Sequence, residues 1–298
     1  MLWLIVPLLI AQPLASRPAD SVYLFTSFRD KGQDGLHLAW SRDGLTWTAL
    51  RDGASFLVPK VGTEKLMRDP CIARSPDGTF HMVWTTGWKE QGFGYARSDD
   101  LVTWSEQRFI PVEHGVLAEG VRNTWAPELF YDEVERRYLI VWSSTKKSQV
   151  EKDHRLYAMW TTDFETFSEP KLLYDPGYRC IDGVILKHHG EYVLFFKDER
   201  EDQKVIRMAR ADQPDGPYGE PSEPLPLDGV EGPSVMRLGE RVVLYVDHYR
   251  HPRHYTAMAS QDLKLWTDLT EEIHFPKGHR HGSVMSIDAA MLKRLQGL

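Results

Sequence analysis

Ser41-Arg-Asp-Gly-Leu-Thr-Trp47 returns along the chain as Ser98-Asp-Asp-Leu-Val-Thr-Trp104, Thr161-Thr-Asp-Phe-Glu-Thr-Phe167 and Ser260-Gln-Asp-Leu-Lys-Leu-Trp266. Each copy holds a hydroxyl, an acid two residues on, and an aromatic four residues after the acid. Ala211-Asp-Gln-Pro-Asp-Gly-Pro-Tyr218 is a degenerate fifth copy. Alternating apolar runs such as Leu36-His-Leu-Ala-Trp40 and Leu156-Tyr-Ala-Met-Trp160 precede the copies, so each reads as a turn joining two strands. An Asp there can accept hydrogen bonds from backbone N–H groups of the turn while the aromatic folds back over the hairpin. The acids at 43, 100, 163, 212 and 262 are spaced by 57, 63, 49 and 50 residues, which sets the size of one structural unit.

A second repeat runs out of phase with the first. Arg68-Asp-Pro70, Trp125-Ala-Pro127, Ile181-Asp-Gly183, Val230-Glu-Gly232 and Arg280-His-Gly282 each open a short apolar strand, with middle residues spaced by 57, 56, 49 and 50. After four of them comes a second strand, at Thr79–Trp84, Tyr138–Trp142, Tyr192–Phe196 and Val242–Val246. Five units of about four strands, with almost no helical period, predict an all-β fold: a five-bladed β-propeller. The first turn copy lacks an opening strand and the last opening strand lacks followers. Residues 281–287 are therefore expected to join residues 22–47 in one blade, closing the ring without free sheet edges.

Composition narrows the function. The 298 residues are 42% hydrophobic, enough for a sizeable core. Lys and Arg number 36 against 43 Asp and Glu, a formal net charge of −7, and no basic block interrupts the sequence. A nucleic-acid or anionic-membrane surface is thereby disfavoured. Leu2–Leu14 is an apolar run broken by Pro7 and followed by small residues up to Ser16; it reads as a signal peptide over 1–16, too short to span a bilayer, with export expected and 17–298 left as one propeller domain. No Lys or Arg precedes that run, so a retained apolar arm is the alternative. Cys71 and Cys180 lie far apart in strand-like segments and read as free buried thiols.

Of the ten Trp, Trp47, Trp104 and Trp266 fill one repeated turn position and Trp40, Trp84, Trp142 and Trp160 fall in or at the ends of strands, so these seven are assigned to packing. Trp88 and Trp125 fit neither slot and are candidates to stack on a sugar ring. The opening strands of a propeller line its central channel, so Asp69, Ala126, Asp182, Glu231 and His281 are expected to converge on one axis. Acids crowded in one funnel raise each other's pKa, a cost that a purely structural ring would avoid. A carboxylate pair is what glycoside hydrolysis requires, one protonated to assist the leaving oxygen and one ionised to activate water or attack carbon. Arg68, Arg122, Asn123 and Lys197 are further candidates for sugar hydroxyls. The alternation of the strand leaves the place of Glu128 open, and His188-His189 before Gly190 reads as a hairpin turn rather than a metal site.

Asp69-Pro70, Trp125-Ala-Pro-Glu128, Ile181-Asp182, Glu231-Gly-Pro233 and His281-Gly-Ser283, one per unit and in this order, resemble glycoside hydrolase family 43. The resemblance covers nearly the whole chain after about residue 20. It implies an inverting glycosidase with Asp69 as general base, Asp182 as the residue that tunes and orients the acid, and Glu231 as general acid. Inversion would place Asp69 and Glu231 roughly 6.5–9.5 Å apart. His281 matches an axial histidine that in many relatives holds a calcium ion or a water; no cofactor is otherwise required. Ile181-Asp-Gly departs from the commoner Ile-Asp-Pro, and Asp69 lies deeper in the chain than in many members. The pattern looks most like a bacterial branch of exo-acting furanosidases for β-D-galactofuranose or α-L-arabinofuranose. A carbohydrate substrate and a monomer are expected. The alternatives are a non-catalytic carbohydrate-binding propeller, a family 32-like glycosidase, for which no Asn-Asp-Pro-Asn-Gly motif exists, and a sialidase, suggested by the Ser41–Trp47 turn.

Overall fold

A computed structural model describes residues 21–297 and is almost entirely β. Five antiparallel sheets stand around one axis as the blades of a propeller. The ring closes as expected. Val284–Asp288 pairs with Ser21–Ser27, with Phe25 opposite Val284 and Val22 opposite Ile287, and His37–Ser41 and Thr48–Ala49 complete that blade. The leader expected over 1–16 lies outside the described residues. Among these, no helix is long and apolar enough to cross a membrane.

The repeated turns fold as one device. Asp43, Asp100, Asp163 and Asp262 each accept two backbone N–H bonds through Oδ1, at 2.8 and 2.8 Å for Asp43 and at 2.8 and 3.0 Å for Asp262. The preceding hydroxyl accepts from the residue three positions on, at 2.8 to 2.9 Å in all four. That donor residue is Gly44, Leu101, Phe164 or Leu263, all with φ between 56° and 75°. The side-chain bonds hold a left-handed conformation that three of the four residue types would otherwise avoid.

Blade four departs from the expected four strands. Cys180–His188, Glu191–Asp198 and Val205–Ala211 form a three-stranded sheet. Five prolines between residues 212 and 230 remove the N–H groups a regular outer strand would donate, and only isolated bonds such as Ser222 N to Met208 O (2.7 Å) remain. A short helix, Ala289–Leu295, was not expected either. Asp288 caps it by accepting from Met291 N at 2.7 Å, and Met291, Leu292 and Leu295 pack on the first blade interface.

Five apolar clusters, one at each contact between adjacent blades, hold the ring together. Trp84 and Trp142 are fully buried in them, and Trp47 is nearly so, as the packing assignment requires. Cys71 and Cys180 are free and buried.

Candidate active site

The innermost strands of blades two to five carry a bulge at their start. Arg68 lies opposite Thr85, Trp125 opposite Ser143, Ile181 opposite Lys197 and Glu231 opposite Asp247, after which regular pairing resumes only at Cys71, Glu128, Val184 and Ser234. The residue after each paired one, Asp69, Ala126, Asp182 or Gly232, has φ between 46° and 59°. This corrects the sequence alignment of the repeat. Asp69 and Asp182 share a register, but the equivalent residue in the fifth blade is Gly232, and Glu231 stands in register with Arg68, Trp125 and Ile181. Counting back from Val284, the partner of Phe25, gives His281 the register of Glu231. A bulge sets two residues against one and bends the strand, so Glu231 and His281, one position earlier in register, still reach the same cavity as Asp69 and Asp182.

The second strands contribute a matching ring of polar residues. Thr85 Oγ1 accepts from Ala126 N (2.8 Å) and Ser143 Oγ from Asp182 N (3.0 Å). Lys197 Nζ donates to Glu231 Oε2 (3.1 Å), and Asp247 Oδ2 accepts from His281 N (3.1 Å). Each blade thus ties down the inner strand of the next, and these bonds lock the bulges that aim the acids.

Asp69, Asp182, Glu231 and His281 line one cavity of about 580 Å³ with Arg68, Trp88, Trp125, Lys197, Tyr249 and Arg280. Asp69 Oδ2 accepts from Thr85 Oγ1 at 2.8 Å, and Asp69 Oδ1 lies 3.3 Å from His281 Nδ1. Burial would raise the Asp69 carboxyl, but His281, Arg68 and Thr85 together hold it below its ordinary value. Asp182 Oδ2 accepts from Gly232 N at 3.0 Å. Burial first, then the negative charges of Glu231 and Asp69, push Asp182 up to about 6 against the pull of His281 and Lys197. Glu231 is clamped between Lys197 Nζ and Arg280 Nη2, each at 3.1 Å, and Arg280 Nε donates to the buried Asp247 at 2.7 Å.

Glu128, whose place the sequence left open, is buried outside the cavity against the Cys71 thiol, and burial lifts it to about 7. His281 is the cation of this acidic centre. Burial opposes its charge, yet Asp182, Asp69 and Glu128 raise it to about 10. Among the described residues no cluster of three or more His, Cys, Asp or Glu is placed to hold a metal. A calcium ion at His281 is implied by the family resemblance alone, and no step below runs through a metal.

The candidate sugar contacts divide. Trp88 is 47% exposed at the mouth, stands edge-on to Trp125 (5.9 Å, 90°) and carries the Arg68 guanidinium over its ring at 4.4 Å. Lys197 reaches the cavity wall but is engaged by Glu199 and Glu231. Asn123 is not brought there. It is buried, with its amide donating to Ser143 O (3.1 Å) and accepting from Thr145 N (3.1 Å), so it braces a loop. Arg122 points its guanidinium at Lys147 O (2.8 Å), away from the cavity. His188 Nδ1 accepts from Arg237 at 2.9 Å, as a hairpin residue. Sequence reasoning missed Thr85, Asp247, Arg280 and Tyr249. The first two were accessible from the register of Lys197, since each ends a second strand.

Residues 20–292 match the family described as "Probable glycosyl hydrolase domain", a family 43-related group. The chain belongs to this glycosyl hydrolase family. It is 26% identical over 216 residues to an α-L-arabinofuranosidase of Bifidobacterium longum, a match covering 61% of this chain and 20% of that protein, so the chain spans about a fifth of its relative's length. The fold is shared with a family 43 β-1,3-galactosidase solved with galactodeoxynojirimycin (TM-score 0.62, 14% identity, 85% of this chain and 91% of that one). It is also shared with an α-L-arabinofuranosidase from Lactobacillus brevis (TM-score 0.56, 18% identity, 68% and 72%).

Proposed function

We propose that this family member hydrolyses glycosidic bonds by single displacement, acting on terminal furanosides of the α-L-arabinofuranosyl or β-D-galactofuranosyl type. The observation that carries the reading is the convergence of Asp69, Asp182 and Glu231 on one cavity from three blades. Asp69, held ionised, has the character of a base that draws a proton from water as the water attacks the anomeric carbon. Glu231 delivers a proton to the departing oxygen, and Asp182, fixed by Gly232 N, tunes and orients it. Trp88 and Trp125 offer apolar faces and Arg68 offers donors to the sugar. The arabinofuranosidase relative supports the furanoside class, and the apolar Leu2–Leu14 run supports export.

One observation favours a second reading, a propeller that binds carbohydrate without cleaving it: two cations clamp Glu231 in the manner of a structural ion pair. Incubation with arabinofuranosyl and galactofuranosyl oligosaccharides, followed by proton NMR from the first minute, separates the two. Release of a sugar with inverted anomeric configuration is expected. Retention would overturn the single displacement, and no release from any furanoside would leave the binding reading.

A further inference from the structure

No stretch of the sequence is strongly basic, yet the fold gathers a basic surface. Asp30-Lys31, Tyr249-Arg-His-Pro-Arg-His254 and Lys277-Gly-His-Arg-His281 meet at the catalytic cavity and the one beside it, where Lys31, Arg253, Lys277 and Arg280 line the walls with Asp30, in a chain of net charge −7. A second cavity of about 340 Å³ adjoins the first and shares Asp30, Arg253 and Arg280 with it; Lys277 and His274 line it as well.

The cations in contact with the acids of the catalytic cavity are spent on them. Lys197 is paired with Glu199 and Glu231, Arg280 with Asp247 and Glu231, and His281 with Asp69. Arg253 and Lys277, at the second cavity, make no ion pair among the described residues, and neither does Lys31, which lines the first; the side-chain bond of Arg253 is a neutral one, Nε to Tyr249 O at 3.2 Å. Like charges gathered without partners repel, and a cleft focuses their field on whatever enters it. A neutral sugar makes no use of that field. An anionic one does, provided its charge sits away from Asp69 and Glu231, which is where the second cavity lies.

We propose that the second cavity is a subsite for an anionic sugar, a residue bearing a carboxylate or a sulfate ester, adjacent to the sugar whose bond is cleaved. The adjacency rests on the glycosidase reading, but the anion site does not, and binding tests it without turnover. The full chain is titrated by calorimetry with trigalacturonate, a sulfated galactotriose and neutral galactotriose at 50 and 500 mM NaCl. At low salt at least one acidic trisaccharide is expected to bind about tenfold or more tighter than galactotriose, and the stronger of the two identifies the anion. That advantage is expected to fall by about tenfold in high salt and in the double variant Arg253→Gln/Lys277→Gln, whose sites are both exposed. Equal affinity for all three sugars would overturn the proposal, as would acidic-sugar affinity that the double variant leaves unchanged. Equally tight binding of a mixed-sequence DNA duplex would also overturn it, by showing general attraction of polyanions. Failure of the glycosidase reading is seen separately, as absent furanoside hydrolysis.

Discussion

His281 Nδ1 lies 3.3 Å from Asp69 Oδ1, and this contact joins a buried imidazole at the propeller's centre to the carboxylate proposed to activate water. Burial works against the imidazolium, but Asp182, Asp69 and Glu128 lift its pKa from 6.5 to about 10. A base whose pKa rises on folding contributes stability that is complete below its unfolded value and is lost as pH climbs through the folded one. Denaturant unfolding of the wild type is therefore expected to weaken between pH 6.5 and about 10, and His281→Gln to weaken less over that window. At pH 6 the variant should be less stable by about 3–5 kcal/mol, because the buried Asp69 carboxylate loses its counter-charge.

Thr85 serves two neighbours, donating to Asp69 Oδ2 and accepting from Ala126 N, both at 2.8 Å. In Thr85→Val the Asp69 carboxylate loses a donor and its pKa rises, so the acid limb of the pH profile of kcat/KM moves to higher pH. Stability should fall by about 1–3 kcal/mol, since the buried Ala126 N–H is left without an acceptor. Kinetics at pH 3 to 7 and a melting curve read both effects.

Trp88 is exposed and packs against the Arg68 guanidinium rather than the core. Trp88→Ala is expected to raise KM by about tenfold, the scale of one lost aromatic contact, and to change stability by about 0.5 kcal/mol or less. A large fall in Tm with unchanged KM would assign Trp88 to packing.

The turn acids should behave in the opposite way. Asp43 accepts from Leu45 N and Thr46 N at 2.8 Å each, far along the chain from any catalytic strand. Asp43→Ala is expected to cost about 1 kcal/mol of stability, as the loss of a helix cap does, with kcat and KM of the folded fraction unchanged.

These residues also show how far the sequence could be read. Asp43, Asp100, Asp163 and Asp262 act locally, each bonding its own turn, so their spacing exposed the number of blades and the closure of the ring. Asp69, Asp182, Glu231 and His281 were recognisable because inner strands must converge. The register of Glu231 was not, because a bulge leaves no mark in residue type except at positions of positive φ, and Ala126 occupies one of them at 46°. Asn123 looked like a sugar ligand until its amide was seen bonded to the backbone on both sides. The clamp of Lys197 and Arg280 on Glu231 joins residues 34 and 49 positions away, which no local pattern reports.

Asp69 is the carboxylate proposed to activate water, and turnover of Asp69→Asn is the measurement that decides it. Asn tolerates the φ of 50° found at this position and can still accept from Thr85, so the fold should persist. On whichever furanoside the wild type hydrolyses fastest, kcat/KM of the folded variant is predicted to fall by about 10³-fold. Turnover of a folded Asp69→Asn within tenfold of wild type would contradict the account.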